Sequence, residues 1–273
     1  MHGIIYKEVE VMIVIIESIK NKHIKLVNSL KNRKDREKNG LFVVEGLRFV
    51  GEIPCDYKVK FYVLSEDFYA IYDIKKLNRE EETIIVSNKV FKEISDTPSP
   101  QGILAVVEQK SYNMEDVVKE IGDMAFFIIA EEMNDPGNLG TIIRTADACG
   151  CNGVLLTKGS VDVYNPKVLR STVGSIFHLP IVSEVDLSEC VGLMKANSIS
   201  IFATHLKGAG YPYDFDLAKS CAFLIGNEAR GLSQDAVNYA DNLIKIPMLG
   251  RAESLNASVA AGVIMYEVVR QRL

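Results

Sequence analysis

Cysteine is sparse in this chain, and its arrangement excludes two of the usual roles of that residue. The 273 residues include five cysteines, which fit no disulfide framework. Cys149 and Cys151 are separated by one residue, whereas zinc knuckles leave at least two between their ligands. We therefore predict no metal site and a reducing, cytoplasmic setting.

Long apolar runs and phosphate-binding motifs are also missing. No apolar stretch approaches the roughly 20 residues of a membrane span. The apolar run 9–16 is short and has acidic neighbours, unlike a signal peptide. The sequence contains no G-x-x-x-x-G-K-[ST] loop, and no G-x-G-x-x-G follows a predicted strand. These absences argue against a membrane protein and against a dinucleotide-dependent dehydrogenase.

The remaining composition is typical of a globular protein with a sizeable core, at 48% hydrophobic and 25% charged residues. Short β-branched or aromatic runs alternate with polar, helix-like stretches. We divide the chain into an N-terminal extension, a first α/β module, a polar linker and a larger second domain, with the bounds 1–16, 17–110, 111–121 and 122–273. Met12 is an alternative start, which would make residues 1–11 an upstream extension.

In the second domain, apolar and helix-like segments alternate more regularly than in the first module. The apolar runs "MAFFIIAEE", "GVLLT", "ISIFATH", "CAFLIG" and "LIKIP" alternate with helix-like stretches, which predicts a parallel sheet covered on both faces. Ligands of such sheets bind at the loops that leave the carboxyl ends of the strands. Three of these loops are unusually polar, namely "EEMNDPGNLG", "NEARGLS" and "MLGRAESLNAS". We expect the functional site there.

A basic segment stands out in a chain whose net charge is −5. Between Lys20 and Lys38, eight basic residues stand against two acidic ones. This segment is either a solvated helix face or a surface that contacts RNA phosphates. The residues predicted to bind RNA are Lys20, Lys22, Lys25, Lys31, Arg33, Lys34 and Arg36.

The three polar loops resemble the motifs of the SpoU (TrmH-type) RNA ribose methyltransferases, a family of the knotted SPOUT superfamily. The resemblance covers essentially all of residues 124–273. The first motif matches as "NDPGNLG" followed by "RTA", the second as "GNEARGL", and the third as "IPM" with "SLN". The first module more loosely resembles an RNA-binding α/β module related to a ribosomal-protein fold.

The resemblance implies an α/β fold class, in which a parallel-sheet C-terminal domain with a deep trefoil knot follows a smaller α/β RNA-binding module. In the family, the C-terminal stretch is threaded through a loop. A threaded helix start passes close to neighbouring backbone, which suits the small residues Ala257, Ala260, Ala261 and Gly262.

The resemblance also implies the reaction, which is methyl transfer from S-adenosylmethionine to a ribose 2′-hydroxyl of RNA. The implied cofactor-binding residues follow three predicted strands. They are Thr204, Leu206, Gly226, Asn227, Ile246, Met248 and Leu255. Gly226 suits this role because a strand-ending glycine allows a ligand to come close.

By the same resemblance, the catalytic centre contains Arg144. An isolated guanidinium stays protonated, so we expect Arg144 to act as a fixed cation beside the forming alkoxide or the adjacent phosphate. Glu228 is expected either to hold Arg144 or to accept the proton. Ser254 and Asn256 either orient substrate or cap the last helix, and Asn134 either shapes its own loop or contacts RNA.

We expect a homodimer, as in the family, with Arg144 serving either its own or the partner's site. The first module favours rRNA as the substrate, because tRNA-specific relatives usually carry short helical extensions instead. A tRNA substrate, base methylation and a catalytically silent RNA-binding protein are the alternatives. Tyr211 and Tyr213, in "GYPYDF", either stack a base or form a loop lid.

Overall fold

The computed structural model describes residues 14–73, 81–119, 121, 124–206 and 208–273. The chain divides into two compact units, of which the first ends at Glu108. The second contains Gln109–Leu273 together with Glu52–Pro54. The predicted alternative start at Met12 lies outside the described residues.

The first unit contains a five-stranded mixed sheet. Its strands are β1 (Ile15–Ile16), β2 (Leu41–Glu45), β3 (Val59–Ser65), β4 (Thr83–Val86) and β5 (Ile103–Glu108), in the order β1-β4-β3-β5-β2. Its helices are α1 (Lys22–Ser29), α2 (Arg33–Asn39), α3 (Leu47–Gly51), α4 (Glu66–Ile71) and α5 (Asn88–Ile94). β1 and β3 run parallel to β4, whereas β5 runs antiparallel to β2 and β3.

Two features of the first unit differ from the sequence predictions. Ile15 and Ile16, assigned to the N-terminal extension, pair with β4 and so belong to the sheet. The basic segment, predicted as one helix, forms α1 and α2 with a break at residues 30–32. Leu30 is buried at this break, where it packs in the core with Ile24 and Phe91. A buried apolar residue therefore stands between the two basic helices.

The second unit contains a six-stranded sheet in which every pairing is parallel. Its strands are β6 (Phe126–Ala130), β7 (Gly153–Thr157), β8 (Ile181–Val185), β9 (Ser200–Thr204), β10 (Cys221–Ile225) and β11 (Asn242–Ile244). Its helices are α6 (Met114–Lys119), α7 (Pro136–Ala148), α8 (Pro166–Thr172), α9 (Leu187–Ala196), α10 (Gln234–Tyr239) and α11 (Ala257–Arg272). The predicted α/β class with a parallel sheet is confirmed.

The central strands of this sheet are buried on both faces, as their unbroken apolar sequences predict. Phe127 and Leu224 join a core that α6, α9 and α10 cover. Side chains alternate along a strand, so Phe126 and Phe223 point to the opposite face, where their rings meet edge to face at 6.0 Å. Apolar packing on both faces of the sheet therefore holds the central strands in place.

The predicted linker 111–121 is not a free connector. Its residues 114–119 form α6, and Val117 and Val118 are buried in the core of the second unit. Polar residues surround these two valines in the sequence. For this reason the segment was predicted as a polar linker and not as a short amphipathic helix.

The strand order β11-β9-β10-β6-β7-β8 makes β11, β9, β10 and β6 consecutive. Because these strands are parallel, the loops that follow them emerge at one edge of the sheet. These are the polar loops that the sequence singled out, together with the loop after β9. None of the helices within the described ranges is long and apolar enough to cross a membrane.

Candidate active site

A cavity of about 560 Å³ opens at this edge of the sheet, between the loops that follow β9, β10 and β11. All seven residues predicted to bind the cofactor line its wall. They are Thr204 and Leu206 after β9, Gly226 and Asn227 after β10, and Ile246, Met248 and Leu255 after β11. Further lining residues that the sequence did not assign to the cofactor include His205, Tyr211 and Lys245.

Asn227 shapes the loop that follows β10. Its side chain is buried, and its Nδ2 donates a hydrogen bond of 2.7 Å to the carbonyl oxygen of Glu132. Its Oδ1 accepts from the backbone amides of Ala229 and Arg230 at 2.9 and 3.1 Å. Both polar groups of the Asn227 side chain therefore form hydrogen bonds within the protein, and these bonds fix the shape of the cavity wall.

Gly226 permits a backbone crossing inside the same loop. A Cβ atom at this position would lie 2.4 Å from Gly231 C and from Leu232 N, which no real side chain tolerates. The sequence interpretation assigned the missing side chain to ligand approach, whereas the structure requires it for the loop itself. At Gly262, expected at a tight threading point, an added Cβ atom would meet the Thr145 methyl at an ordinary contact distance of 3.8 Å, so the described structure does not require glycine there.

The Glu228 carboxylate connects the loop after β10 to the loop after β6. It accepts hydrogen bonds from the backbone amides of Asn134 and Asp135 at 3.3 and 3.1 Å, and from Asn138 Nδ2 at 3.2 Å. Burial raises the pKa of Glu228, but hydrogen bonds from its own backbone amide and from these three donors together outweigh burial, and the pKa is lowered. Glu228 is therefore ionised at neutral pH.

Asn138 extends this connection to the last helix. Asn256 Nδ2 donates to Asn138 Oδ1 at 2.8 Å. Asn256 Oδ1 in turn accepts from the backbone amides of Ser258 and Val259 and caps α11, as predicted for this residue. Three loops are thereby joined through one buried asparagine. Sequence reasoning missed Asn138, because an asparagine in the first turn of a helix is ordinary there.

Arg144 lies on the exposed side of α7, two turns beyond Asn138. Within the described part of the chain it forms no ion pair or hydrogen bond, and it does not line the cavity. Of the two roles expected for Glu228, the contact with Arg144 is not formed among the described residues, since the Glu228 carboxylate is held by the α7 start instead. Ser254 lines the cavity, and Asn134 is exposed beside Glu228.

The residues around the cavity fit a molecule such as S-adenosylmethionine. The volume of the cavity is within the ~300–1,000 Å³ typical of cofactor and small-molecule sites. Leu206, Ile246 and Leu255 supply apolar parts of the wall, beside polar residues such as Thr204 and Ser254. Over the described ranges, no cluster of three His, Cys, Asp or Glu residues could hold a metal ion.

In the basic segment of the first unit, some side chains are exposed without an ion-pair partner among the described residues, and others form ion pairs or are buried. Lys20, Lys22, Lys25 and Lys34 are exposed and form no ion pair among the residues that the structure describes. Lys31 pairs with Asp96 at 3.5 Å, and Arg33 pairs with Glu37 at 2.6 Å.

Arg36 is a correction to the predicted RNA-binding set. Its side chain is 2% exposed, and its guanidinium donates to the carbonyl oxygens of Leu30 and Lys31 at 2.8 and 2.9 Å. These carbonyl groups lie at the end of α1, where helical partners are missing. Arg36 therefore closes α1 and is not available to RNA.

An all-parallel sheet with a cofactor-sized cavity at its carboxyl edge defines an α/β protein of the ligand-binding or enzyme class. Residues 125–266 match the SpoU rRNA Methylase family, and residues 21–105 match the MRM3-like substrate binding domain. The chain belongs to the SpoU rRNA methylase family, and the resemblance found in its sequence is confirmed.

Two curated relatives extend over both units. The 23S rRNA (guanosine(2553)-2′-O)-methyltransferase RlmP of Bacillus subtilis is 33% identical over 254 residues, which cover 93% of this chain and 98% of the relative. The 23S rRNA (uridine(2479)-2′-O)-methyltransferase of Streptomyces viridochromogenes is 32% identical over 256 residues, covering 89% and 88%.

Solved structures agree with this assignment. The AdoMet-bound rRNA methyltransferase from Sinorhizobium meliloti has a TM-score of 0.84 at 30% identity, covering 96% of this chain and 99% of that one. The SpoU methyltransferase AviRb from Streptomyces viridochromogenes, in complex with AdoMet, has a TM-score of 0.84 at 30% identity, covering 93% and 98%. These similarities support the fold and the cofactor class; the trefoil knot itself stays a prediction.

Proposed function

We infer that this protein is an S-adenosylmethionine-dependent methyltransferase that acts on a ribose 2′-hydroxyl of rRNA. The observation that carries this function is the network of Glu228, Asn138 and Asn256, which joins three loops beside a cavity of cofactor size. S-adenosylmethionine supplies an electrophilic methyl group when bound. The protein must then hold the ribose oxygen in line with that group.

Arg144 is the proposed catalytic residue. A guanidinium stays protonated, and a fixed cation stabilises the negative charge that develops on the 2′-oxygen or grips the neighbouring phosphate. Its exposed position on α7 leaves it free to meet RNA.

Glu228 is proposed as an organising residue. Its carboxylate is engaged by three hydrogen bonds and has a lowered pKa, so it is a weak base. We therefore favour loop organisation over proton acceptance for this side chain, and we assign Ser254, on the cavity rim, to substrate orientation.

We propose that the protein acts as a homodimer and that Arg144 serves the partner's cavity. Val259, Val263 and Tyr266 form an exposed apolar stripe on α11, with 52%, 44% and 56% of each residue accessible. Gly262, within this stripe, lies beside Thr145 of α7, the residue next to Arg144. An apolar stripe of this kind is typical of a surface that a second copy covers.

Mixed dimers test this arrangement. Arg144→Ala removes the cation but keeps the cavity, whereas Gly226→Val keeps the cation but disrupts the cavity. If Arg144 acts across the interface, equal mixing of the two inactive variants creates one complete site in each mixed dimer, restoring roughly one quarter of the wild-type rate. No recovery despite verified subunit exchange would place Arg144 in its own chain's site.

The rRNA substrate is supported by the first unit, which matches a substrate-binding domain. A cytoplasmic location follows as part of this proposal. The test is a map of ribose 2′-O-methyl groups in rRNA and tRNA from a deletion strain, its parent, and the deletion strain complemented with wild-type or Arg144→Ala protein. We expect one or more rRNA positions to lose methylation and to regain it only with the wild-type gene. Loss confined to tRNA would contradict the rRNA assignment.

A further inference from the structure

Two tyrosines form a stacked pair at the rim of the cavity. The rings of Tyr211 and Tyr213 have centroids 5.2 Å apart and planes inclined by 20°. Tyr211 lines the cavity, whereas Tyr213 lies one ring further out and is 56% exposed. The stack therefore leads from the cofactor cavity towards the solvent.

The segment that carries the pair is firmly attached to the sheet. The backbone amide of Lys245, directly after β11, donates to the Gly210 carbonyl at 3.0 Å. The Tyr211 amide donates to Asp214 Oδ2 at 2.8 Å, and the Phe215 ring packs on Phe202 of β9 at 5.4 Å. These contacts preset the ring positions, which lowers the entropy lost when a ligand stacks on them.

A cation lies beside the same pair. The Lys245 ammonium is 5.2 Å from the centroid of the Tyr211 ring. In the part of the chain that the structure describes, Lys245 has no carboxylate partner in an ion pair. An aromatic face next to a cation is the combination with which proteins hold single-stranded nucleic acid, because the ring stacks a base and the cation attracts the phosphate.

We propose that Tyr213 stacks a nucleobase of the RNA that flanks the methylated nucleotide, with Lys245 contacting a phosphate nearby. This proposal rests on the proposed rRNA methyltransferase function. The flanking base is assigned because the ring of Tyr211 separates Tyr213 from the cavity in which the reaction occurs. Stacking of this kind accepts any base, so Tyr213 holds the strand in place without reading its sequence.

The test compares Tyr213→Leu with Tyr213→Phe in the full-length protein, with a 23S rRNA transcript as substrate. Leucine removes the flat ring, and phenylalanine retains it as the matched control. Base stacking predicts that Tyr213→Leu raises the KM and the Kd for RNA about fivefold to a hundredfold, with near-wild-type values in Tyr213→Phe. The Kd for S-adenosylmethionine, measured by calorimetry, should stay within about twofold of wild type in both variants.

A second measurement locates the contact directly. Ultraviolet crosslinking of a 4-thiouridine-substituted transcript should attach RNA to the peptide that contains Tyr213. An unchanged RNA Kd in Tyr213→Leu would overturn the proposal. A parallel rise in the cofactor Kd would also overturn it, because the pair would then be a lid over the cavity. Wild-type protein that binds the transcript but transfers no methyl group would instead refute the proposed function, while the RNA Kd of the two variants still decides the role of Tyr213.

Discussion

Asn256 donates a hydrogen bond of 2.8 Å to Asn138 although 118 positions separate the two residues in the chain. Asn138 stands in the first turn of α7, and Asn256 caps α11. Through Asn138 Nδ2, the same connection reaches Glu228 at 3.2 Å. The starts of two helices and the loop after β10 are therefore held as one unit beside the cavity.

Replacing Asn138 should weaken both the fold and the reaction. Asn138→Ala leaves Glu228 and Asn256 without their shared partner, so we expect a loss of about 1–3 kcal/mol in the free energy of unfolding. Displacement of the loops should lower methyl transfer about 100-fold. Urea denaturation and initial rates measure the two effects. Asn238→Ala, on the exposed surface of α10, is the control and should change stability by less than about 0.5 kcal/mol.

Glu228 should make stability depend on pH in a defined direction. Its folded pKa lies below the unfolded value, so it stabilises the native state above the unfolded pKa, and this contribution is lost as pH falls through the folded pKa. Glu228→Gln should therefore be less stable than wild type at about pH 7, with a difference that shrinks towards about pH 3. Urea unfolding across this range measures it. Exposed Glu253→Gln is the control, and an equally large effect there would contradict the specific role.

Arg144 should be needed for methyl transfer and not for cofactor binding. Arg144→Ala is expected to lower the rate about 100- to 1,000-fold, as for loss of a group that stabilises developing charge. Arg144→Lys should recover little, because a point charge does not reproduce the guanidinium fork. Calorimetry should give a nearly unchanged cofactor Kd, since Arg144 lies outside the cavity wall. Near-wild-type turnover in either variant would contradict the assignment.

Arg272 should anchor the C-terminal helix. Its guanidinium donates to the carbonyl oxygens of Met124 and Lys219, each at 2.9 Å, and lies 5.3 Å from the Phe126 ring centroid. Arg272→Ala should cost about 2 kcal/mol in the free energy of unfolding, measured in urea. The matched control is Arg270→Ala. Among the residues that the structure describes, the exposed Arg270 pairs with Glu267 alone, so its loss should cost less than about 1 kcal/mol. Equal effects would contradict the anchoring role.

The basic segment should respond to mutation according to exposure. Lys22→Ala, Lys25→Ala and Lys34→Ala should each reduce the salt dependence of RNA binding by about one slope unit per lost phosphate contact. Filter binding at several salt concentrations measures this slope. Lys60→Ala, at the exposed position of β3, is the control for charge alone. Arg36→Ala should instead lower the thermal stability of the first unit, because Arg36 holds the end of α1. An unchanged salt dependence of RNA binding in all three lysine variants would show that the basic segment is a solvated helix face.

Local sequence patterns were sufficient to predict the sheet and its polar edge, whereas the individual residues of the cavity wall came from the resemblance to the SpoU family. Unbroken apolar runs such as residues 126–130 predict buried parallel strands, since the hydrophobic pattern reports directly on burial. The loops that follow such strands must emerge at one edge. Thr204, Gly226 and Ile246 were assigned to the cofactor site by the resemblance to the SpoU family, and the structure places them around one cavity at this edge.

Only the tertiary structure decided which polar side chains meet and which are removed from solvent. Arg36 belongs to a basic run, yet the break after α1 brings it under two carbonyl oxygens and buries it. Asn138 seemed an ordinary residue of a helix start until α11 brought Asn256 within hydrogen-bond distance. Hydrophobic periodicity is a short-range property that survives in the sequence. A hydrogen bond depends on positions set to within tenths of an ångström by the packing of distant elements, and no local pattern of residues encodes it.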